Sequence, residues 1–294
     1  MNTADLFTKI TNQLIADIEA GAPTWRMPWA KLGRDLPTSC DGRPYRGINV
    51  LWLAIVGADR GWSSNTWGTY KAWQRHDCQV RKGEKGTEVL LWRPVRKTLP
   101  DGTEEQYLVA RSYAVFGAEQ AEGGAELVAR KRQAAPEPDT VERFDEAEAY
   151  FAAVGADVRR GGDRAYYSRA TDRIVVPEPE QFWSTPHFYA TLAHEHVHWT
   201  GHDSRLAREM GNRFGDDAYA AEELVAELGA AMWCGQMGVS AATREDHVGY
   251  LAGWLRVLKA DPKALLTVAS KAQQAVDRLN VEAGFTVAPD FVAV

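Results

Sequence analysis

His194-Glu195-His196-Val197-His198, continued by Trp199-Thr200-Gly201, sets two imidazoles four residues apart. On a helix that spacing is about one turn, so His194 and His198 can aim ring nitrogens at one metal ion while Glu195 stands beside them to take a proton from a bound water. The flanks predict the helix. Ser184-Thr185 offers an N-cap, Pro186 suits the first helical position, and Gly201 stands where a left-handed C-terminal residue is expected. The plain alternative is a His-rich surface helix with no ion.

A tetrahedral zinc site with an open position needs a third protein ligand. The residue three after Gly201 is Ser204, which argues against a third histidine. The better source is the amphipathic run Tyr219-Ala-Ala-Glu222-Glu223-Leu224-Val225-Ala226-Glu227-Leu228, in which Glu223 and Glu227 share a face. Glu222 and Glu223 both remain candidates on spacing. The Glu223-x-x-Ala226-Glu227 pattern resembles the second helix of gluzincin metallopeptidases. That resemblance implies Glu223 as the ligand and Glu227 as the acid that hydrogen-bonds ligand His194. Tyr219, one turn before Glu223, and His202, one turn after His198, are candidate oxyanion donors. His196 points off the metal-facing stripe and is expected at the surface or behind a ligand; His187 and His247 are expected to be structural.

Bulk properties narrow the setting. The 294 residues suffice for two domains, and the net charge of −6 with 45% hydrophobic residues suits a globular protein. No signal-peptide pattern and no run of eighteen apolar residues occurs, so a cytoplasmic protein without membrane association is expected. Cys40, Cys78 and Cys234 are odd in number and widely spread, which fits reduced thiols, with Cys234 in the core.

The charge is unevenly divided. Residues 1–135 hold 19 Lys and Arg against 15 Asp and Glu, a net of +4; the rest hold 15 against 25, a net of −10. Between Arg26 and Lys97 there are 14 basic and 6 acidic residues, with seven of the eleven tryptophans between Trp25 and Trp92. Cations that track phosphates and flat rings that stack on splayed bases suit single-stranded nucleic acid. A domain core of tryptophans under an ordinary basic coat has the same composition.

Periodicity and turn residues predict a helix over 3–20, an irregular Pro23–Trp29 segment, and a helix from Val50 to Val56. A short helix follows over Trp67–Trp73, then a basic glycine-punctuated loop at 80–87. Strands at Val89–Arg93 and Tyr107–Phe116 are joined through Asp101-Gly102. A linker is expected over 118–140, from Gly123-Gly124, Arg130-Lys131-Arg132 and Ala135-Pro136-Glu137-Pro138. Beyond it, a helix over 142–154 precedes a hairpin of Ala165–Ser168 with Arg173–Pro177, Pro177 closing an edge strand able to align an extended peptide. Further helices are expected at about 245–259 and 262–279, breaking at Asp261-Pro262.

Several blocks match one family in order. Gly42-Arg43-Pro44-Tyr45-Arg46-Gly47-Ile48-Asn49, Trp67-Gly68-Thr69-Tyr70, Val80-Arg81-Lys82-Gly83-Glu84-Lys85-Gly86 and Val115-Phe116 before Glu119-Gln120 resemble the N-terminal domain of the plasmid antirestriction ArdC family. Arg164-Ala-Tyr-Tyr, the zinc-helix motif through His202, and Tyr219 to Glu227 resemble its zincin-like metallopeptidase domain. The N-terminal domain of that family is shared with conjugative primases and binds single-stranded DNA. The resemblance implies an α+β fold: a DNA-binding domain over 1–125, a linker over 126–140, and a mostly helical gluzincin-like domain with a small antiparallel sheet over 141–294. It implies one Zn2+ per chain, single-stranded DNA as partner, a protein or peptide substrate, and protection of incoming plasmid DNA from restriction. Arg43, Tyr45, Arg46, Trp67, Lys71, Arg81, Lys82 and Lys85 are the expected DNA contacts. The rival functions are a DNA-coating protein whose zinc is structural or vestigial, and, less well supported, a metal-dependent nuclease, which would want more clustered acids.

Overall fold

A computed structural model of the chain describes residues 3–21, 36–98, 104–134, 140–209, 217–239, 247–261 and 263–285. The Pro23–Trp29 segment, the Asp101-Gly102 turn, Ala135–Pro138 and Pro262 lie outside them. Helix α1 (Thr3–Gly21) buries Ile10, Leu14 and Ile18, the four-residue stripe visible in the sequence. After β1 (Thr38–Ser39), helix α2 (Ile48–Asp59) starts from Gly47, whose φ of 55° suits a residue without Cβ. Then come β2 (Thr66–Gly68), α3 (Tyr70–Arg75) and β3 (Gln79–Val80). The long β4 (Thr87–Thr98) and β5 (Glu104–Gly117) pair antiparallel along their length, as the alternation predicts. Order β1-β2-β5-β4 makes a four-stranded sheet, and β3 pairs with β6 (Ala121–Glu122).

Two readings of this half are corrected. The predicted helix over Trp67–Trp73 is a strand followed by a shorter helix, because the Thr69 hydroxyl caps α3 through the Ala72 N–H and leaves Trp67 to pair with Gly117. The expected linker is largely ordered: Gly124–Ala134 forms helix α4, and Leu127 and Val128 are buried against Trp73, Cys78 and Val80. Glycine punctuation and a basic triplet suggested a tether, but the adjacent Leu127 and Val128 pack this segment.

The remaining elements are α5 (Thr140–Val154), β7 (Asp157–Arg160), β8 (Tyr166–Ser168), β9 (Arg173–Val176), α6 (Thr185–Thr200), α7 (Asp217–Gln236), α8 (His247–Ala260) and α9 (Ala264–Glu282). The hairpin β8–β9 is antiparallel across Asp172, which takes a left-handed φ of 48°, and β7 joins parallel to β9. The sheet order β7-β9-β8 makes β9 central, so Pro177 does not close an edge; β8 is the edge strand beside α6. One continuous apolar core runs from Ile10, Leu51 and Trp67 through Val176 and Phe188 to Trp233 and Leu279. Burial on this scale is the main stabilising term of the fold. It joins the two halves, as do the Arg46–Asp277 ion pair and the bond from the Gly47 N–H to Gln273 Oε1 at 3.2 Å.

Candidate metal centre and nucleic-acid face

Helix α6 begins as its sequence requires: Ser184 is the N-cap, its hydroxyl accepting the His187 N–H, with Pro186 in the first turn. Gly201 ends it differently, with φ −78° and ψ −4°, right-handed rather than left-handed. The chain instead continues into a tight loop whose left-handed residue is Ala207, at φ 47°. Helix α7 approaches α6 closely because Gly229 faces Val197; a Cβ at 229 would lie 2.8 Å from Val197 Cγ2. That close approach brings the second helix's carboxylates onto the first helix's imidazoles.

The ligand atoms converge. His194 Nε2 and His198 Nε2 are 3.1 Å apart, and Glu223 places Oε2 3.5 Å from the first and Oε1 3.4 Å from the second. A tetrahedral ion with bonds of about 2.0–2.1 Å separates its ligands by about 3.3 Å, so these residues fit zinc. The opposite ring nitrogens face other acids, His194 Nδ1 lying 3.4 Å from Glu227 Oε1 and His198 Nδ1 3.2 Å from Glu222 Oε1. Such acids fix tautomer and ring direction. Glu195, Glu222, Glu223 and Glu227 are all buried and the buried Arg208 binds Glu222, which leaves an excess of negative charge that a divalent ion would offset.

The same crowding governs the titrations without metal. Burial opposes charge on His198, but Glu223 and Glu222 outweigh it and push its pKa up to about 10. Burial raises Glu223, and the two imidazoles more than reverse this, holding its carboxyl far below the usual range. One other trio among the described residues, Cys40, Asp41 and His76, also brings ligand atoms within 4.8 Å. Asp41 is already bound by His76 at 2.7 Å and Arg75 at 2.9 Å, and burial pushes the Cys40 thiol up to about 11. Its cationic surroundings disfavour an ion.

The remaining predicted residues divide. Glu195 is buried on the ligand helix, and Tyr219 is half-buried on α7. His202 turns its Nδ1 to the Ser204 hydroxyl at 2.8 Å. His196 is not at the surface: it is fully buried, its Nδ1 2.7 Å from Leu192 O and its ring against Phe151, and burial lowers its pKa to about 4. Arg208 was not singled out in the sequence; it sits in an aperiodic loop that gives no pattern to find it. Its guanidinium binds Glu222 at 2.7 and 3.0 Å.

On the basic half, Arg43, Lys71, Lys82 and Lys85 are exposed. Tyr45 and Trp67 are core residues, 4% and 0% exposed, and the Trp67 indole N–H donates to Asn65 Oδ1. As DNA contacts these two are corrected, since neither offers a ring face to a base. Arg46 is drawn to Asp277, and Arg81 to Glu84 and the Glu119 carbonyl. Tyr70, 44% exposed beside Lys71, is an exposed ring among the described residues that was not among the expected contacts. Its neighbours Trp67 and Trp73 are indistinguishable from it by residue type.

Residues 4–116 match the model of the N-terminal domain of anti-restriction factor ArdC, and residues 145–271 match a zincin-like metallopeptidase model. The metal-free crystal structure of the antirestriction protein ArdC from plasmid R388 superposes with a TM-score of 0.75 at 37% identity, covering 95% of this chain and 98% of that one. The chain belongs to the ArdC antirestriction family. The Mn(II)-bound form of R388 ArdC superposes with a TM-score of 0.72. Protein y4eC of Sinorhizobium fredii is 39% identical over 95% of this chain and 92% of its own length. DNA primase TraC of Escherichia coli is 33% identical over 91% of this chain but only 19% of TraC. The ArdC fold therefore occurs both as nearly a whole protein and as a portion of a larger one.

Proposed function

We propose that this ArdC-family chain binds single-stranded DNA through its basic half, residues 1–125, and carries a zinc metallopeptidase-type site in residues 141–294. Together these protect incoming plasmid DNA from host restriction in the cytoplasm. The observation that carries the enzymatic part is the mutual 3.1–3.5 Å spacing of His194, His198 and Glu223.

A zinc ion held there would supply Lewis acidity and a water with a pKa of about 7. Glu195 accepts the proton of the attacking water and returns it to the leaving amine. Glu227 and Glu222 keep the two imidazoles aimed, and Tyr219, one turn before Glu223, donates to the oxyanion. His202 is engaged by Ser204 and serves the loop. An extended peptide would lie along the β8 edge. On the DNA side, Lys71, Lys82, Lys85 and Arg43 meet phosphates while Tyr70 stacks, a contact worth about 1–3 kcal/mol per base.

Glu195→Gln tests the reading. The variant should keep metal and DNA binding yet lose peptide hydrolysis and protection. Full protection by it would transfer the function to DNA coating.

A further inference from the structure

We propose that Arg208 is a positioning residue: it commits Glu222 to His198 and thereby makes Glu223, not its neighbour, the carboxylate that meets the metal. The inference rests on the metal-site reading above and adds what selects between two adjacent acids.

Glu222 is fully engaged. Its Oε1 faces His198 Nδ1 at 3.2 Å and accepts from Arg208 Nη2 at 2.7 Å, while Oε2 accepts from Arg208 Nε at 3.0 Å. The two nitrogens of an imidazole point to opposite sides of the ring. A carboxylate held on the Nδ1 side is removed from the Nε2 side, where Glu223 lies. A bidentate guanidinium fixes such a carboxylate in angle as well as place, which a lysine ammonium does not. Arg208 is itself pinned, donating from Nη1 to Thr200 Oγ1 and from Nη2 to Val197 O, both at 2.7 Å. The loop that delivers it is anchored by Arg205, which stacks on Trp199 at 3.8 Å and binds Asp172 in the β8–β9 turn. Hairpin, loop, Arg208, Glu222 and His198 thus form one chain of contacts.

A guanidinium that merely capped α6 would also touch Val197 and Thr200, so Glu222→Gln separates the roles: it leaves those cap contacts and removes the charged partner. The test is zinc affinity of the full chain by competition with a chromogenic chelator, alongside thermal melts of the metal-free proteins. Glu222→Gln and Arg208→Met should each weaken zinc binding by roughly tenfold to a hundredfold. The double variant should be no weaker than the worse single, because both act through one contact. Arg208→Lys should recover part of the loss. Should Arg208→Met fail to fold, Glu222→Gln and Arg208→Lys still decide. Zinc affinity of folded Glu222→Gln equal to wild type overturns the proposal while leaving the metal site intact. Zinc affinity unchanged by His198→Ala overturns the metal-site reading and this inference with it.

Discussion

His194 Nε2 and His198 Nε2 stand 3.1 Å apart with their other nitrogens turned toward Glu227 and Glu222. Two ring lone pairs at that distance repel unless a proton or a metal ion lies between them. Without metal, Glu223 and Glu222 raise the His198 pKa and so favour a proton in that place.

Metal binding must therefore expel this proton. The raised pKa means the proton is bound below about pH 10, so affinity rises with pH, by roughly tenfold per unit, through the neutral range. Calorimetric zinc titration in buffers of different ionisation enthalpy should show about one proton released per ion. An observed heat independent of the buffer would contradict the arrangement.

The contact of Gly229 with Val197 sets the distance between the ligand helices. Gly229→Ala inserts a methyl group into packed space and should cost about 1–3 kcal/mol, read from chemical denaturation. It should also weaken zinc binding, because Glu223 sits less than two turns earlier on α7. A variant of wild-type stability and affinity would show that the helices have room to spare.

Lys71→Ala, Lys82→Ala and Lys85→Ala together should lower affinity for single-stranded oligonucleotides and flatten its salt dependence by about two units of log–log slope, about 0.7 per phosphate contact. Tyr70→Ala should weaken binding with little change in slope. Trp67→Ala should act through folding, because its indole is wholly buried. Fluorescence anisotropy at several salt concentrations, with thermal melts, separates the three; an unchanged slope in the triple variant would relocate the DNA face.

The shared core also bears on domain behaviour. Leu51, Trp67, Phe188 and Leu279 belong to one buried cluster, and Arg46 is tied to Asp277. Thermal unfolding of the whole chain should be a single transition by circular dichroism and tryptophan fluorescence alike. Two separated transitions would mean that each half stands alone.

The metal helix was legible because cap, proline and four-residue histidine spacing are local signals that tertiary contacts did not override. Spacing left Glu222 and Glu223 of α7 as rivals and only the resemblance pointed to Glu223, because the contact that distinguishes them, Arg208 on Glu222, arrives from a distant loop. Residue type misplaced Trp67 and Tyr45: an aromatic in a basic segment serves a core or a base equally well, and only their burial in the packed fold shows which. Helix α4 was missed for a related reason, its glycines and basic triplet masking the buried Leu127 and Val128. His196 was misread because its periodic offset from the metal face leads to Phe151 and the core, not to solvent.

The central claim is that one divalent ion is shared by His194, His198 and Glu223. Elemental analysis of zinc-equilibrated, desalted wild type and Glu223→Ala tests it most directly. The account predicts about one zinc per chain in wild type and below about a tenth of that in the variant. A folded wild type without zinc, or a Glu223→Ala protein that retains it fully, would contradict the account.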